Sequence, residues 1–413
     1  MKKYPSLHQL SAIVTILLLV PLAACNAQVA GCTDPKANNY DPSATSNDGS
    51  CTYDPYSVSP VQTDQLDPVL NETSGLTLWE DLVWTHNDSD DNHLYGLDGS
   101  NGEIKREEEL VGAENYDWEE IDSDAQYIYV GDIGNNSGNR TDLHILRVEK
   151  SSLGTGSPVY DTIRFSYEDQ VNFNPGGGQN TDFDCEAFVV TPDSIYLFTK
   201  QWISKGTTVY AIPNSPGTHV AQNVGTYYVA GLVTGATYLP EKRLLVLIGY
   251  TGLLSPFFHL CYDFRGHDFF SGNNRRITVS LPFHQFEGIV TGDGLEYYAS
   301  NEANATVLVP ARFHKFDLSD LLEQYLLSLG TGESYVPERA RLWPSPAGEF
   351  ITVELGSGRY PAAFEIIDAA ARVVRRGILE TDYNLLNVSD LNTGSYTFRF
   401  PEGGLEALQF MKE

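Results

Sequence analysis

The feature that most constrains the fold is an internal repeat that runs from about residue 61 to residue 326. Four segments align on a glutamate, and a fifth fits the same frame with a glycine in its place. The aligned residues are Glu72, Glu119, Glu186, Gly235 and Glu287. Each segment contains two strand patterns, and third and fourth strand patterns follow after short turns. Four short antiparallel strands in each of five repeats predict a β-propeller.

The last repeat lacks a fourth strand of its own, because a helical pattern at Ser319–Leu329 follows its third strand. The segment around 59–70 can supply the missing strand, which would close the ring and leave no exposed sheet edge. The sequence therefore predicts an all-β protein with a five-bladed β-propeller over residues 59–330. Six blades are the alternative.

The N-terminal residues have the pattern of an export signal, in which two lysines precede an apolar stretch at Ser11–Ala24. That stretch is too short to favour a membrane-spanning role, so we expect no such segment in the mature chain. Cleavage after Ala27 would give a signal peptide of residues 1–27. The alternative is a lipobox that places a lipid on Cys25 and anchors the protein.

Cysteine usage agrees with export to an oxidising compartment. Residues 31–55 are rich in Asp, Asn, Pro and Gly, a composition that favours turns. Cys32 and Cys51 bracket this segment, and we predict a disulfide between them. The segment resembles a short two-cysteine module of exported Bacteroidetes proteins. Cys185 and Cys261 could form a second disulfide or remain as two buried free thiols.

The charge balance limits the kinds of partner. Lys and Arg number 26 and Asp and Glu number 55, which gives a formal net charge of −29. Such a chain does not bind nucleic acid or anionic lipid through a basic surface. An acidic surface suits solubility or the binding of cations.

Propeller geometry predicts that the repeated glutamates meet. The first strand of a blade lines the central channel and the second runs back beside it. The start of the first strand and the end of the second therefore lie at one rim. Like charges gathered there need a cation, a basic neighbour or raised pKa values, and Ca²⁺ is one solution. The candidate metal ligands are Glu72, Glu119, Glu186 and Glu287. Alternatively, each glutamate is structural and accepts hydrogen bonds from backbone N–H groups of the next blade.

The ends of the second strands add polar residues that differ from blade to blade, which makes them better candidates for a specific site. We expect the segment from His86 to Asp88 on one blade to face Asp132 and Asn135 on its neighbour. The candidate binding residues are His86, Asn87, Asp88, Asp132, Asn135, Arg140, Lys200 and Asn301.

These residues favour a protein that binds a ligand or a partner at the rim. One alternative is a Ca²⁺-dependent hydrolase of esters or lactones at the same rim, in which the metal polarises a carbonyl and activates water. An adhesion or scaffold protein without a small-molecule site is another. The sequence contains no G-x-S-x-G, H-E-x-x-H or P-loop motif, and we predict no catalytic residue.

The repeats resemble a widespread family of exported bacterial propeller proteins. The matching motifs are "ETSGL", "WTHNDS", "DWEEI" and "YIYVGDIGNN", and the resemblance covers roughly Asn71–Glu302. It implies a propeller fold and export, and it implies no particular activity.

The C-terminal region, residues 338–413, has strand patterns bounded by Pro and Gly turns, which predict a small Ig-like β-sandwich. It resembles the C-terminal sorting domain of type IX secretion cargo. The matching segments are Pro344–Ala347, Phe364–Gly377, Val388–Phe400 and the terminal "LQFMKE". The resemblance implies the type IX machinery as a partner, passage across the outer membrane, and release or surface attachment. Such cargo normally has an unlipidated N-terminus, which favours cleavage after Ala27.

Overall fold

The structure is a computed structural model. It describes residues 29–329, 340–355, 360–370, 372–381, 383–401, 405 and 407–413. The predicted signal peptide and Cys25 lie outside the described residues. Within these residues, no helix has the length and apolar character needed to span a membrane.

The first described segment is the predicted two-cysteine module. Strand β1 (Ala30–Gly31) pairs in parallel with β2 (Ser46–Asn47), and the predicted Cys32–Cys51 disulfide is confirmed. The module packs on the body of the protein, because Asp34 accepts hydrogen bonds from the hydroxyl groups of Tyr53 at 2.7 Å and Tyr262 at 2.5 Å.

Two short strands connect the module to the repeats. They are β3 (Tyr56–Val58) and β4 (Gln62–Gln65), and a 3₁₀ turn at Pro68–Leu70 follows. Strand β4 lies in the segment that the sequence assigns to ring closure.

Five groups of antiparallel strands follow, one from each repeat. The first is β5 (Thr77–Trp79), β6 (Leu82–Thr85), β7 (His93–Asp98) and β8 (Ile104–Glu109). The second is β9 (Trp118–Ser123), β10 (Tyr127–Asp132), β11 (His144–Glu149) and β12 (Tyr160–Tyr167). The third is β13 (Asp184–Val190), β14 (Ser194–Lys200), β15 (Thr207–Pro213) and β16 (Gly217–Tyr227). The fourth is β17 (Leu232–Leu239), β18 (Leu244–Tyr250), β19 (Pro256–Tyr262) and β20 (Asn273–Val279). The fifth is β21 (Phe286–Thr291), β22 (Glu296–Asn301) and β23 (Arg312–Asp317).

The first strands of the five groups form a closed ring, because β5 contacts β9, β9 contacts β13, and so on until β21 contacts β5. Middle strands such as β14 and β18 are buried along their whole length, since neighbouring groups cover both of their faces. The outer strand β8 instead alternates between half-buried and exposed residues. The arrangement is β-propeller-like.

The N-terminal strands complete the ring at its outer edges. Strand β4 pairs antiparallel with β23 and so supplies the fourth strand that the fifth repeat lacks. Strand β3 adds in parallel to β20, and β12 pairs in parallel with β16, which joins the second and third groups into one eight-stranded sheet. Helix α1 (Ser319–Leu329) follows β23 and buries Leu321 and Leu322.

The C-terminal region contains two further sheets. Its strands are β24 (Arg341–Trp343), β25 (Phe350–Glu354), β26 (Ala362–Asp368), β27 (Val373–Leu379), β28 (Tyr383–Asn387), β29 (Gly394–Arg399) and β30 (Leu408–Lys412). One sheet has the order β24-β25-β28 and the other β27-β26-β29-β30. Ile351 and Val353 of the first sheet share a buried core with Ile366 and Phe398 of the second.

The C-terminal sheets contact the repeats at a defined end. The backbone N–H of Leu385 donates to Asp193 at 3.2 Å, and the ring of Tyr383 lies 4.4 Å from that of His267. Asp193 is in the turn between β13 and β14. This turn is at the end of the ring opposite to the point where the first strands begin.

The other two cysteines among the described residues are both buried and both free. Cys185 lies in β13 and Cys261 in β19. Of the two alternatives drawn from the sequence, free thiols are therefore the correct one.

Candidate functional site

A polar cavity of ≈ 170 Å³ lies where first strands begin and second strands end. Its lining residues are Glu72, Thr73, Ser74, Asp88, Asp117, Glu119, Asn136, Gln179, Glu186, Lys200, Trp202, Tyr250, Gln285, Glu287 and Glu302. The four candidate metal ligands are all among them, and so are two of the candidate binding residues, Asp88 and Lys200. Two larger clefts, of ≈ 480 Å³ and ≈ 490 Å³, lie elsewhere, one by the turn between β5 and β6 and the other beside α1.

Three of the four glutamates reach the cavity from β-bulges. In β9 the pairing with β10 passes from Trp118 to Glu120, so that Glu119 is the extra residue. The same shift in register leaves Glu186 as the extra residue of β13 and Glu287 as that of β21. A bulge re-aims a side chain that regular alternation would direct elsewhere. The strands are therefore irregular at the positions that carry the carboxylates.

The fourth group contributes an aromatic residue to the cavity, and no carboxylate of its own lines it. Its first strand β17 is also bulged, at Thr234, one position before the glycine of the repeat frame. A Cβ on Gly235 would lie 2.5 Å from the carbonyl oxygen of Glu287, so the glycine permits close packing of β17 and β21. Tyr250, at the end of β18, lines the cavity instead.

Burial and repulsion between neighbouring carboxylates raise the pKa values of acids that line the cavity. Burial raises the pKa of Glu119 well above its ordinary value, and the carboxylate of Glu186 adds to this effect. Burial and the nearby Glu72 raise the pKa of Asp88 to about 7. Burial and Asp184 raise the pKa of Asp117 to about 6. Ionised carboxylates are therefore costly in this cavity, and a bound cation would reduce that cost.

Lys200 is the only positively charged residue among those that line the cavity, all of which belong to the described part of the chain. Its Nζ lies 2.9 Å from Oε2 of Glu186. Burial alone would lower the pKa of Lys200, but Glu186 and neighbouring acids raise it well above the ordinary value. The ammonium group also lies 4.7 Å from the centre of the Trp202 ring and 5.4 Å from that of Tyr250. The lysine is held charged between carboxylates and aromatic faces.

Two buried glutamates differ sharply in how well the protein satisfies their carboxyl groups. Glu120 accepts hydrogen bonds from the backbone N–H groups of Ile121 at 3.0 Å and Ala236 at 2.9 Å, and so ties β9 to β17. This is the structural role that the sequence suggested for the aligned glutamates, one position further along. Glu287 is 6 % exposed, and its Oε2 has no hydrogen-bond partner in the part of the chain that the structure describes.

The candidate binding residues on the first group, other than Asp88, do not line the cavity. His86 is fully buried, its Nδ1 lies 2.9 Å from the carbonyl oxygen of Asn87, and burial lowers its pKa to about 4. The amide of Asn87 donates to the carbonyl oxygen of Val69 at 2.9 Å and to Asp91 at 2.7 Å. Both side chains hold the turn after β6.

Three candidate binding residues, Asp132 at the end of β10 and Asn135 and Arg140 after it, lie behind the residues that line the cavity. Arg140 pairs with the buried Asp132 at 2.6 Å, and its backbone N–H donates to Asn135. Their neighbours Asn136 and Asp117 reach the cavity. Asp132, Asn135 and Arg140 therefore support the lining without forming it, and Asp88 is the one member of the predicted cluster that lines the cavity.

Gly134 permits these supporting residues to pack closely against the acids. A Cβ at this position would lie 2.3 Å from Cγ of Asp117 and 2.5 Å from Oε1 of Glu119. Any larger residue would therefore displace two carboxyl groups of the cavity lining.

Asn301, at the end of β22, completes the candidate binding residues. Its side-chain amide joins His314 at 2.8 Å and donates to the carbonyl oxygens of Glu302 and Pro310. Asn301 therefore supports the fifth group from behind, and its neighbour Glu302 lines the cavity.

Calcium remains a prediction. Across the described ranges, no three side chains of His, Cys, Asp or Glu are grouped closely enough to hold a metal ion. The cavity acids are instead distributed around the space. A calcium ion would have to complete its usual 6–8 oxygen ligands from amides, carbonyl groups and water.

Fold and cavity together define a class: a β-propeller-like protein with an acid-lined cavity at the centre of its ring. The C-terminal region indicates where the protein is delivered. Residues 341–409 match the family model described as a secretion system C-terminal sorting domain, which confirms the predicted type IX sorting domain. This domain implies export to the cell surface or the medium, with the secretion machinery as a partner. No curated protein shows significant similarity to the chain.

Solved structures resemble the chain only distantly. PorZ, a surface component of the type IX secretion system of Porphyromonas gingivalis, is 12% identical with a TM-score of 0.31, and the match covers 83% of this chain and 45% of PorZ. An exo-β-1,3-galactanase from Phanerochaete chrysosporium is 9% identical with a TM-score of 0.35, over 89% and 97% of the two chains. An apocarotenoid oxygenase from Synechocystis is 14% identical with a TM-score of 0.29, over 76% and 74%. Similarity at this level carries no information about activity.

Proposed function

We propose that the protein is an exported five-bladed β-propeller that binds a small polar ligand in its central cavity. The closed ring of five first strands supports the blade number. The two C-terminal sheets around one core support an Ig-like β-sandwich as the sorting domain. The sorting domain supports delivery by type IX secretion.

The observation that carries the ligand-binding proposal is the buried, unpartnered Oε2 of Glu287, which is one of seven acidic residues that line the cavity. A buried polar group without a partner costs about 1–3 kcal/mol, and a charged one costs more. Both carboxyl oxygens of Glu120 accept hydrogen bonds from the backbone. The fold can therefore provide partners for a buried carboxyl group whose role is only to stabilise the protein. Departures from this rule concentrate at functional sites, where a ligand supplies the missing contact.

Replacing one glutamate at a time separates a binding role from a structural one. We expect Glu287→Gln to leave the free energy of unfolding unchanged or to raise it by about 1 kcal/mol, because it removes a buried acidic group whose Oε2 has no partner. Glu120→Gln is the matched control. It presents an NH₂ group to a backbone donor, so we expect it to lower the free energy of unfolding by about 1–3 kcal/mol.

Ligand binding itself is tested by thermal unfolding with a panel of neutral sugars, primary amines, dicarboxylates and CaCl₂. A compound that binds only the folded state raises the unfolding temperature in proportion to RT ln(1 + [L]/Kd). We expect at least one compound to stabilise the wild type and to lose this effect in Glu287→Gln. If no compound does so and Glu287→Gln is the less stable variant of the two, the glutamate is structural, and the adhesion or scaffold alternative is favoured.

The Ca²⁺-dependent hydrolase makes a different set of predictions. It requires tightly held calcium in elemental analysis and ester turnover that calcium removal abolishes. Loss of turnover in His86→Ala or Asp132→Ala would also favour the hydrolase, although both residues lie outside the cavity lining. Retention of ligand binding without turnover would favour the binding protein.

A further inference from the structure

We infer that the ligand of the central cavity carries a primary ammonium group. This inference rests on the proposed function and specifies its ligand class. Seven carboxyl groups line the cavity, against the single ammonium group of Lys200 among the same described lining residues. An anion would add to their mutual repulsion, and a neutral molecule would leave that repulsion in place. A cation relieves it.

A second, independent observation shows where the cation would sit. Glu287 lines the cavity, and its buried Oε2 has no donor among the described residues. Charge-assisted hydrogen bonds from an ammonium group to a carboxylate are about twice as strong as neutral ones. The vacant acceptor therefore defines one contact of the ligand.

Lys200 shows how the cavity already accommodates such a group. Its ammonium combines a 2.9 Å contact to Glu186 with the faces of Trp202 at 4.7 Å and Tyr250 at 5.4 Å. Carboxylates together with aromatic faces are the surroundings that bind ammonium groups in proteins. A ligand ammonium at Glu287 would be the second cation of the same cavity.

The spacing of the acids favours ammonium over calcium. Ca²⁺ requires 6–8 oxygen atoms at roughly 2.3–2.6 Å from one point. The described chain has no three acidic, histidine or cysteine side chains so grouped. An ammonium group has three donors, each of which reaches an oxygen about 2.7–2.9 Å away, so it tolerates carboxylates that are further apart.

Isothermal titration of the full chain at low ionic strength tests the inference. The probes are butylammonium chloride, its neutral counterpart 1-butanol, CaCl₂, and N-acetyl-lysine methylamide, which offers the same ammonium on a peptide backbone. We expect both ammonium compounds to bind if the natural ligand is a lysine side chain of a partner. We expect only butylammonium to bind if it is a free amine. Either result supports the inference, provided that 1-butanol binds at least tenfold more weakly.

Three variants locate the binding. We expect Glu287→Gln to weaken butylammonium binding about tenfold or more, because one charge-assisted contact is lost. We expect Lys200→Met to tighten it, because a competing cation is removed. Glu296→Gln is the control, since Glu296 is an exposed acid outside the cavity that pairs with Lys315. We expect it to leave the affinity within twofold.

Several results would overturn the inference. They are equal affinity for 1-butanol and butylammonium, binding of CaCl₂ alone, or weaker butylammonium binding in Lys200→Met. If a neutral sugar binds the wild type and loses its effect in Glu287→Gln, the ammonium inference fails and the proposed function stands. If no probe of either experiment binds, both fail.

Discussion

Replacing Lys200 with methionine removes the one positive charge among the described residues that line the cavity. Methionine keeps an apolar stem of similar length against the rings of Trp202 and Tyr250, so the change acts mainly on charge. In the wild type the Lys200 and Glu186 side chains are 6% and 2% exposed, and their charged atoms lie 2.9 Å apart. Removing one partner of a buried ion pair costs about 3–5 kcal/mol, because the other charge is left uncompensated.

The pH dependence distinguishes this cost from a loss of packing. Burial raises the pKa of Glu186 well above its ordinary value, and loss of Lys200 raises it further. An acid with a higher pKa in the folded than in the unfolded state stabilises the fold as it takes up a proton. Stability therefore increases as pH falls through the folded pKa towards the unfolded one. Once Glu186 protonates, the cost of the substitution shrinks by up to about 1.4 kcal/mol per pH unit.

Urea denaturation at about pH 8 and about pH 5.5 measures the effect, with an expected cost of about 3 kcal/mol falling to about 1 kcal/mol. Lys315→Met is the matched control, because Lys315 lies 3.3 Å from Glu296 and 5.1 Å from the centre of the Tyr298 ring, in a more exposed setting. We expect it to cost less than about 1 kcal/mol at either pH. An equal loss at both pH values in Lys200→Met would refute the electrostatic explanation.

The other predictions concern packing, covalent structure and processing. Gly134→Ala would place a Cβ 2.3 Å from Cγ of Asp117, so we expect it to cost about 1–3 kcal/mol and to weaken ligand binding, both measured against Gly178→Ala, where a Cβ meets open space. Replacing both Cys32 and Cys51 with alanine opens a loop with a sequence separation of 19, which we expect to cost about 3 kcal/mol in thermal unfolding. We expect mass spectrometry of the mature N-terminus to find a chain without a lipid that starts directly after the predicted signal peptide.

The periodicity of the sequence carries most of the information about where the site lies. Repeats of four strands determine which strand ends meet, because the start of a first strand and the end of a second strand share one end of the ring. For this reason Glu119, Glu186 and Glu287 could be placed together from spacing alone, and Lys200 could be placed beside them. Sequence spacing alone thus locates a convergent set of acids several dozen residues apart.

Periodicity does not show which of two adjacent residues faces the cavity. Glu119 and Glu120 are identical in chemistry, yet a one-residue bulge sends the first to the cavity and leaves the second to bridge β9 and β17. The role of polar residues at strand ends is equally hard to predict. The side chains of His86 and Asn87 form hydrogen bonds within a turn, using the same groups that could bind a ligand. Tyr250 was missed because an aromatic residue at a strand end usually indicates core packing.

The cavity and the sorting domain occupy opposite ends of the same ring, which bears on how binding and delivery are combined in one chain. The cavity lies where β13 begins and β14 ends, and the C-terminal sheets contact Asp193 in the turn that connects these two strands at the other end. Antiparallel strands separate the two places by the full length of β14. All charged residues that line the cavity therefore belong to the ring of repeats. Attachment or loss of the sorting domain changes none of these residues.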